Sequence, residues 1–191
     1  SAPYNQSDVN GNSNDGMYPF VISNACVTGS LELTECFGET WLRAANKGAI
    51  GYIGGSNSTY WDEDYWWGVG YHASSQIDGT AWPVASTGIG AYDGVFHDNG
   101  EPVDSYYVTN DAIIFAGNLA VMESGSSLTT YYWNIYNLMG DPTISTFMGV
   151  PSANPVVHPP TLLTSTPSFA LEAVPGSYAG LTLDGVIIAA G

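Results

Sequence analysis

The residue best set up for nucleophilic chemistry is Cys26. It follows the apolar run Tyr18-Pro19-Phe20-Val21-Ile22 and sits among small residues in Asn24-Ala25-Cys26-Val27-Thr28-Gly29. A sulfur presented at a strand end among short side chains has backbone amides nearby to receive an oxyanion. Cys36 lies beside Phe37 in a helical pattern. Nothing around it lowers its pKa, so it reads as a buried thiol. No CxxC or Cys/His spacing points to zinc, and a disulfide or two buried thiols is the plain reading of two cysteines. A nucleophilic cysteine needs a base, and the histidines are His72, His97 and His158. His158 falls among prolines and His97 precedes the turn-forming Asp98-Asn99-Gly100, so both read as solvated loop residues. His72 follows an aromatic stretch and is a weak candidate for the base.

The elements that must position Cys26 follow from periodicity. Tyr18 to Ile22 reads as a strand buried on both faces, and open α/β sheets gather ligands at the carboxyl ends of such strands. From Cys36 to Gly48, the residues Phe37, Trp41, Ala44 and Ala45 share a helical face, with Thr34 as N-cap and Gly48 as C-terminal stop. Ala49 to Gly54 reads as a second buried strand, which makes a parallel βαβ unit. Residues 4–17 are expected to form a polar surface loop. Ser56 to Tyr71 reads as an aromatic loop around Asp62, Glu63 and Asp64. Helices are expected over roughly Thr109 to Met122 and Thr129 to Leu138, the latter stopped by Gly140.

Composition shifts at Pro151. Residues 1–150 form an α/β domain, and residues 151–166, with Pro151, Pro155, Pro159 and Pro160, read as a stiff linker. Residues 167–191 begin an all-β domain. Ser168 to Ala173, Tyr178 to Leu183 and Val186 to Ala189 read as strands, the last two joined by Asp184-Gly185. Three strands are too few for a sandwich, so this β segment calls for more chain.

The 191 residues carry 18 Asp and Glu against 2 Lys and Arg, a formal charge of −16. A surface this acidic repels phosphate backbones and anionic lipid, which argues against nucleic-acid and membrane-surface partners. The apolar runs are far shorter than a bilayer span requires. Ser1-Ala2-Pro3-Tyr4 has none of the basic and apolar regions of a signal peptide and reads as the cut end of something longer.

Several ordered blocks resemble the gingipain family of cysteine peptidases, whose fold is shared with caspases and legumains. They are Ile22 to Gly29, Cys36-Phe37-Gly38-Glu39, Tyr60-Trp61-Asp62-Glu63-Asp64, Ala116-Gly117-Asn118-Leu119-Ala120, and Tyr131-Tyr132-Trp133 through Leu138-Met139-Gly140-Asp141. The similarity is closest to the lysine-specific branch. Pro175 to Tyr178 and Leu183 to Val186 resemble the start of the immunoglobulin-like domain that follows in that family.

The resemblance implies a partial caspase-like α/β/α sandwich followed by the first strands of an immunoglobulin-like β-sandwich. It makes Cys26 the nucleophile and assigns Asn24, Trp61 and Asp64 to a specificity pocket for lysine. There an aliphatic stem would lie on the Trp61 ring and a carboxylate would meet the ammonium. It matches Glu39 to a ligand of a structural calcium, and carboxylate with backbone carbonyls suits that hard ion. It puts the catalytic histidine in a His-Gly segment upstream of Ser1.

Two functions are thus expected as alternatives. One is an extracellular endopeptidase that cleaves protein or peptide substrates after lysine through a thioester. The other is a non-catalytic assembly fragment that pairs its incomplete β segment with the rest of its own domain or with further copies.

Overall fold

The computed structural model describes residues 3–71, 89–96, 109–146, 153–163 and 165–191. The chain divides into two units, Ser1–Met148 and Gly149–Gly191. The first holds α1 Gln6–Gly11, β1 Phe20–Ser23, α2 Phe37–Arg43, β2 Gly51–Gly55, α3 Trp61–Val69, α4 Asp93–Phe96, α5 Asn110–Glu123, α6 Thr129–Ile135 and β3 Tyr136–Gly140. The second holds β4 Gly180–Leu183 and β5 Val186–Ala190.

The expected βαβ unit is present. β1 runs parallel to β2, from Phe20 opposite Gly51 to Ser23 opposite Gly54, with α2 in the crossover. β3 joins the other edge of β2 antiparallel, from Gly51 opposite Gly140 to Gly55 opposite Tyr136. β2 is buried along its whole length, whereas β1 is only half-buried. The central strand of the described sheet is therefore β2, and β1 lies beside it rather than being covered on both faces.

Local chemistry explains where elements depart from the pattern-based expectation. Residues 6–11 form α1 and not a loop, because Asn5 and Asp8 make a reciprocal capping box and Val9 is fully buried. A cap of this kind holds a polar turn that hydrophobic periodicity does not reveal. At α2 the N-cap is Cys36 and not Thr34, since the Glu39 carboxylate reaches back to the Cys36 N–H at 2.8 Å. Phe37 meets the Tyr52 ring of β2 edge-on at 6.2 Å, which turns the helix onto the sheet. Gly48 ends this region as expected. Its φ is +86°, and a Cβ there would fall 2.0 Å from the Trp41 carbonyl oxygen.

The stretch read as an aromatic loop contains α3. Asp62, Glu63 and Asp64 crowd its first turn, where the helix dipole favours anions, and Trp67 and Gly68 are buried. The helix expected to run to Leu138 stops at Ile135, and the chain passes directly into β3. From Tyr136 onward the pairing with β2 satisfies the backbone instead of the helix.

On α5, Ile113, Ala116, Gly117, Ala120 and Val121 are buried at helical spacing. Against this face sits Trp67 of α3, whose indole N–H donates to Asn118 Oδ1 at 3.1 Å. The same indole stacks on Tyr136 at 4.4 Å. Ile53, Ile113, Val121, Tyr132 and Ile135 complete the core around this stack.

In the second unit β4 and β5 form an antiparallel hairpin turning at Asp184-Gly185, with φ of +50° and +81°. Positive φ at both central residues matches the twist of the flanking strands. The strand expected over 168–173 is reduced to one bridge, Glu172 with Val157, which exchange N–H···O bonds of 2.9 Å. Its partner segment carries Pro155, Pro159 and Pro160, which have no N–H to extend a ladder.

A Cβ on Gly117 would fall 2.5 Å from the Trp67 ring, which cannot move without breaking its stack on Tyr136. Gly→Ala in a helix interior gains about 1 kcal/mol, and overpacking a core costs about 1–3 kcal/mol. Gly117→Ala is therefore expected to lower stability by about 1 kcal/mol in denaturant titration, against the propensity trend.

Candidate active site

The parallel pairing of β1 with β2 brings their carboxyl ends to one edge, so the loops that follow run side by side. Val27 N–H donates to Asn57 O at 3.1 Å, and Gly29 N–H donates to Gly55 O at 2.9 Å. Just before these contacts Cys26 is exposed. Val27 takes φ +62°, a left-handed conformation costly for a β-branched residue. Such strain persists only where surrounding contacts hold it, and here it lies directly after the candidate nucleophile.

The Cys26 sulfur is engaged by one residue of the facing loop. Thr59 N–H donates to Sγ at 3.2 Å, and Thr59 Oγ1 lies 3.3 Å from it. The Thr59 hydroxyl, and then its backbone N–H, hold the Cys26 thiol below its ordinary range. Burial and the Asp64 charge oppose this more weakly. Burial pushes the Cys36 thiol up, in line with its reading as an inert buried group.

Thr59 also reaches the second candidate. Its hydroxyl donates to Asp64 Oδ2, so one side chain joins the thiol to the carboxylate. Asp64 stands in the first turn of α3, not in a loop. Tyr132 and Tyr136 direct their hydroxyls at its other oxygen, Oδ1, at 2.9 and 2.8 Å. Both phenols are pushed well above their usual range, first by burial and then by the Asp64 charge, so they are neutral hydroxyls at any working pH.

Asn24 belongs to the same network. Its Nδ2 donates to the Asp64 backbone carbonyl at 2.7 Å, which turns Oδ1 toward a short hydrogen bond from Tyr136. The opposite amide orientation would set Oδ1 against a carbonyl. Tyr136 has one proton for two acceptors, Asn24 Oδ1 and Asp64 Oδ1. Tyr132 likewise faces both Asp64 and Tyr60 O while accepting from Tyr60 N–H at 2.8 Å.

Cys26, Asn24 and Asp64 are thus brought together. Trp61 starts α3 one turn before Asp64, on the same helical side, and its ring is 75 % exposed. Glu39 takes no part in the network. It caps α2, and the Cys36 N–H draws its carboxyl below the ordinary range. Among the described residues no group of three or more His, Cys, Asp or Glu side chains could hold a metal ion. His158 is an exposed residue with Nδ1 2.9 Å from Pro159 O, and His72 and His97 lie outside the described residues.

Thr59, Tyr132 and Tyr136 were not singled out from the sequence. Thr59 is an ordinary loop residue by type. Tyr136 fell inside an expected helix, so its place opposite Gly55, at the carboxyl end of β2, had no signature.

Comparison with known proteins places the chain in a family. The model of peptidase family C25 matches residues 2–147. Lys-gingipain of Porphyromonas gingivalis is 35% identical over 185 residues, which cover 93% of this chain and 10% of that protein. The chain thus spans about a tenth of the length of this curated relative. A solved structure described as a protease superposes with a TM-score of 0.75 at 31% identity, covering 97% of this chain and 41% of that one. The Arg specific cysteine proteinase gingipain R has the same fold, with a TM-score of 0.70 at 19% identity, over 97% of this chain and 39% of its own. The chain belongs to peptidase family C25, the gingipain cysteine peptidases.

Proposed function

We propose that this chain carries the nucleophile and the specificity carboxylate of a secreted, extracellular cysteine endopeptidase that cleaves after lysine. The observation that carries this reading is the single residue Thr59, hydrogen-bonded to both the Cys26 sulfur and the Asp64 carboxylate. In this reading Cys26 Sγ attacks the lysyl carbonyl carbon, a C–S bond forms, and the peptide C–N bond breaks. The thiol proton passes through a histidine upstream of Ser1 to the leaving amine, and water then hydrolyses the thioester. Asp64, held by Tyr132 and Tyr136, would face the ammonium, with the aliphatic stem against the open Trp61 ring and Asn24 lining the pocket. The identity to Lys-gingipain supports lysine over other side chains. Among the described residues no helix is long and apolar enough to cross a membrane.

The caspase-like sandwich and the immunoglobulin-like β domain belong to the same proposal, as does a structural calcium at Glu39. Since no carboxylate cluster accompanies Glu39 among the described residues, such an ion would depend on backbone carbonyls. Chelation by EDTA is expected to lower the Tm of the complete peptidase, with Glu39→Gln abolishing that sensitivity; a Tm indifferent to chelation removes calcium from the proposal.

For the complete peptidase, Asp64→Asn is expected to reduce kcat/KM on lysyl peptides at least roughly thirtyfold, since breaking a shielded charge pair costs about 2–5 kcal/mol. Asn keeps one acceptor oxygen for the surrounding hydroxyls, so folding should be spared. An undiminished preference for lysine in that variant excludes Asp64 as the specificity acid.

A second reading, assembly through the β segment, is favoured by one observation. Leu181, Leu183, Val186, Ile187 and Ile188 of the β4–β5 hairpin are all exposed. A two-stranded hairpin with both faces open is marginal in water and calls for a covering chain, either the protein's own remainder or a further copy. Light scattering of the 191-residue chain should give a mass above 20.2 kDa. A dilute monomer with residues 180–190 protected from hydrogen exchange rules this reading out.

A further inference from the structure

We infer that Thr59 is a positioning residue that couples occupation of Asp64 by a cation to activation of the Cys26 thiol. The inference rests on the lysine reading above and adds a coupling that reading does not require. The Thr59 hydroxyl has one proton and two neighbours that compete for it, Asp64 Oδ2 and Cys26 Sγ. A carboxylate oxygen is the stronger acceptor. With the pocket empty the proton is therefore shared unequally, drawn more to Asp64 Oδ2 than to the sulfur, which also receives the Thr59 N–H at 3.2 Å.

An ammonium group bound at Asp64 neutralises the carboxylate and competes for Oδ2, which weakens its hold on the Thr59 proton. A rotation about the Thr59 C–O bond then turns the same O–H onto the sulfur, 3.3 Å away. The proton stays on Oγ1 throughout and no covalent bond changes. A second donor at Sγ favours the thiolate, the form that attacks. The peptidase would thus hold a less reactive thiol until a lysine side chain is in place.

Among the described residues, two titratable groups face the sulfur. Asp64 of α3 raises the thiol pKa by its charge, and Tyr131 of α6, whose phenol is itself pushed up, is close enough to feel the thiolate. Neutralising Asp64 by a bound amine lowers the thiol pKa through space even without Thr59. The hydroxyl's share must therefore be separated by substitution. Thr59→Val keeps the side-chain shape and the backbone N–H but removes the rotating proton, and Thr59→Ser restores it.

The test is the pH profile of Cys26 alkylation by iodoacetamide in the complete peptidase, with and without saturating n-butylamine as the lysine side-chain mimic. The upstream histidine is common to all variants and cancels from the comparison. The amine is expected to move the native midpoint down by about one pH unit more than it moves that of Thr59→Val, a tenfold difference in rate below the midpoint. Thr59→Ser should recover the native response. Equal shifts in the native and Thr59→Val proteins, or no recovery in Thr59→Ser, overturn the coupling. If n-butylamine competes with a lysyl substrate yet leaves the native midpoint in place, the coupling fails and the lysine reading stands. If it does not compete at all, both fail.

Discussion

A carboxylate drawn into a protein surface must have its oxygens filled by donors, and much of this site is the answer to that requirement for Asp64. Three hydroxyls face its oxygens: Thr59 from the loop after β2, Tyr132 from α6 and Tyr136 from the first position of β3. Asn24, at the end of β1, is fixed in turn by the Asp64 carbonyl and the Tyr136 hydroxyl. One acidic side chain thereby specifies the relative placement of five segments of the chain. Cys26 needs no contact of its own with the carboxylate, because Thr59 touches both.

Sheet topology makes this convergence possible. Parallel β1 and β2 deliver Asn24, Cys26 and Thr59 to a common edge. A third parallel strand would begin at the opposite edge. Antiparallel β3 begins at the same edge, with Tyr136 opposite Gly55, and so adds a phenol where the two loops end. Close passage of those loops also depends on Gly54, where a Cβ would stand 2.8 Å from the Thr28 hydroxyl oxygen.

The sequence was most legible where apolar periodicity coincides with backbone pairing. β1, β2, α2 and α5 follow from such runs, and Cys26 could be placed at a strand end from its neighbours alone. Less visible were elements held by particular side-chain bonds. The capping box at Asn5 and Asp8 organises a polar helix, and three consecutive acids stabilise the start of α3, yet neither produces a hydrophobic pattern. The boundary between α6 and β3 was hidden for another reason. An aromatic residue such as Tyr136 suits either element, and its pairing with Gly55 decides between them. Asn24, Trp61 and Asp64 were drawn from family resemblance. Thr59 and the two tyrosines, which connect Asn24 and Cys26 to Asp64, carry no signature in the sequence because a hydroxyl's role depends on what it faces.

The direct passage of α6 into β3 has a dynamic consequence. Tyr132 and Tyr136 lie one helical turn apart on a segment without an intervening loop, and both rings also belong to the core around Trp67. Local opening usually begins in loops that carry few buried contacts. Here the groups that orient the Asp64 carboxylate open only when the central packing opens. Cys26 sits instead on an exposed loop tied down by backbone hydrogen bonds at Val27 and Gly29, so in hydrogen-exchange terms the Asp64 anchor carries the protection of the globular core.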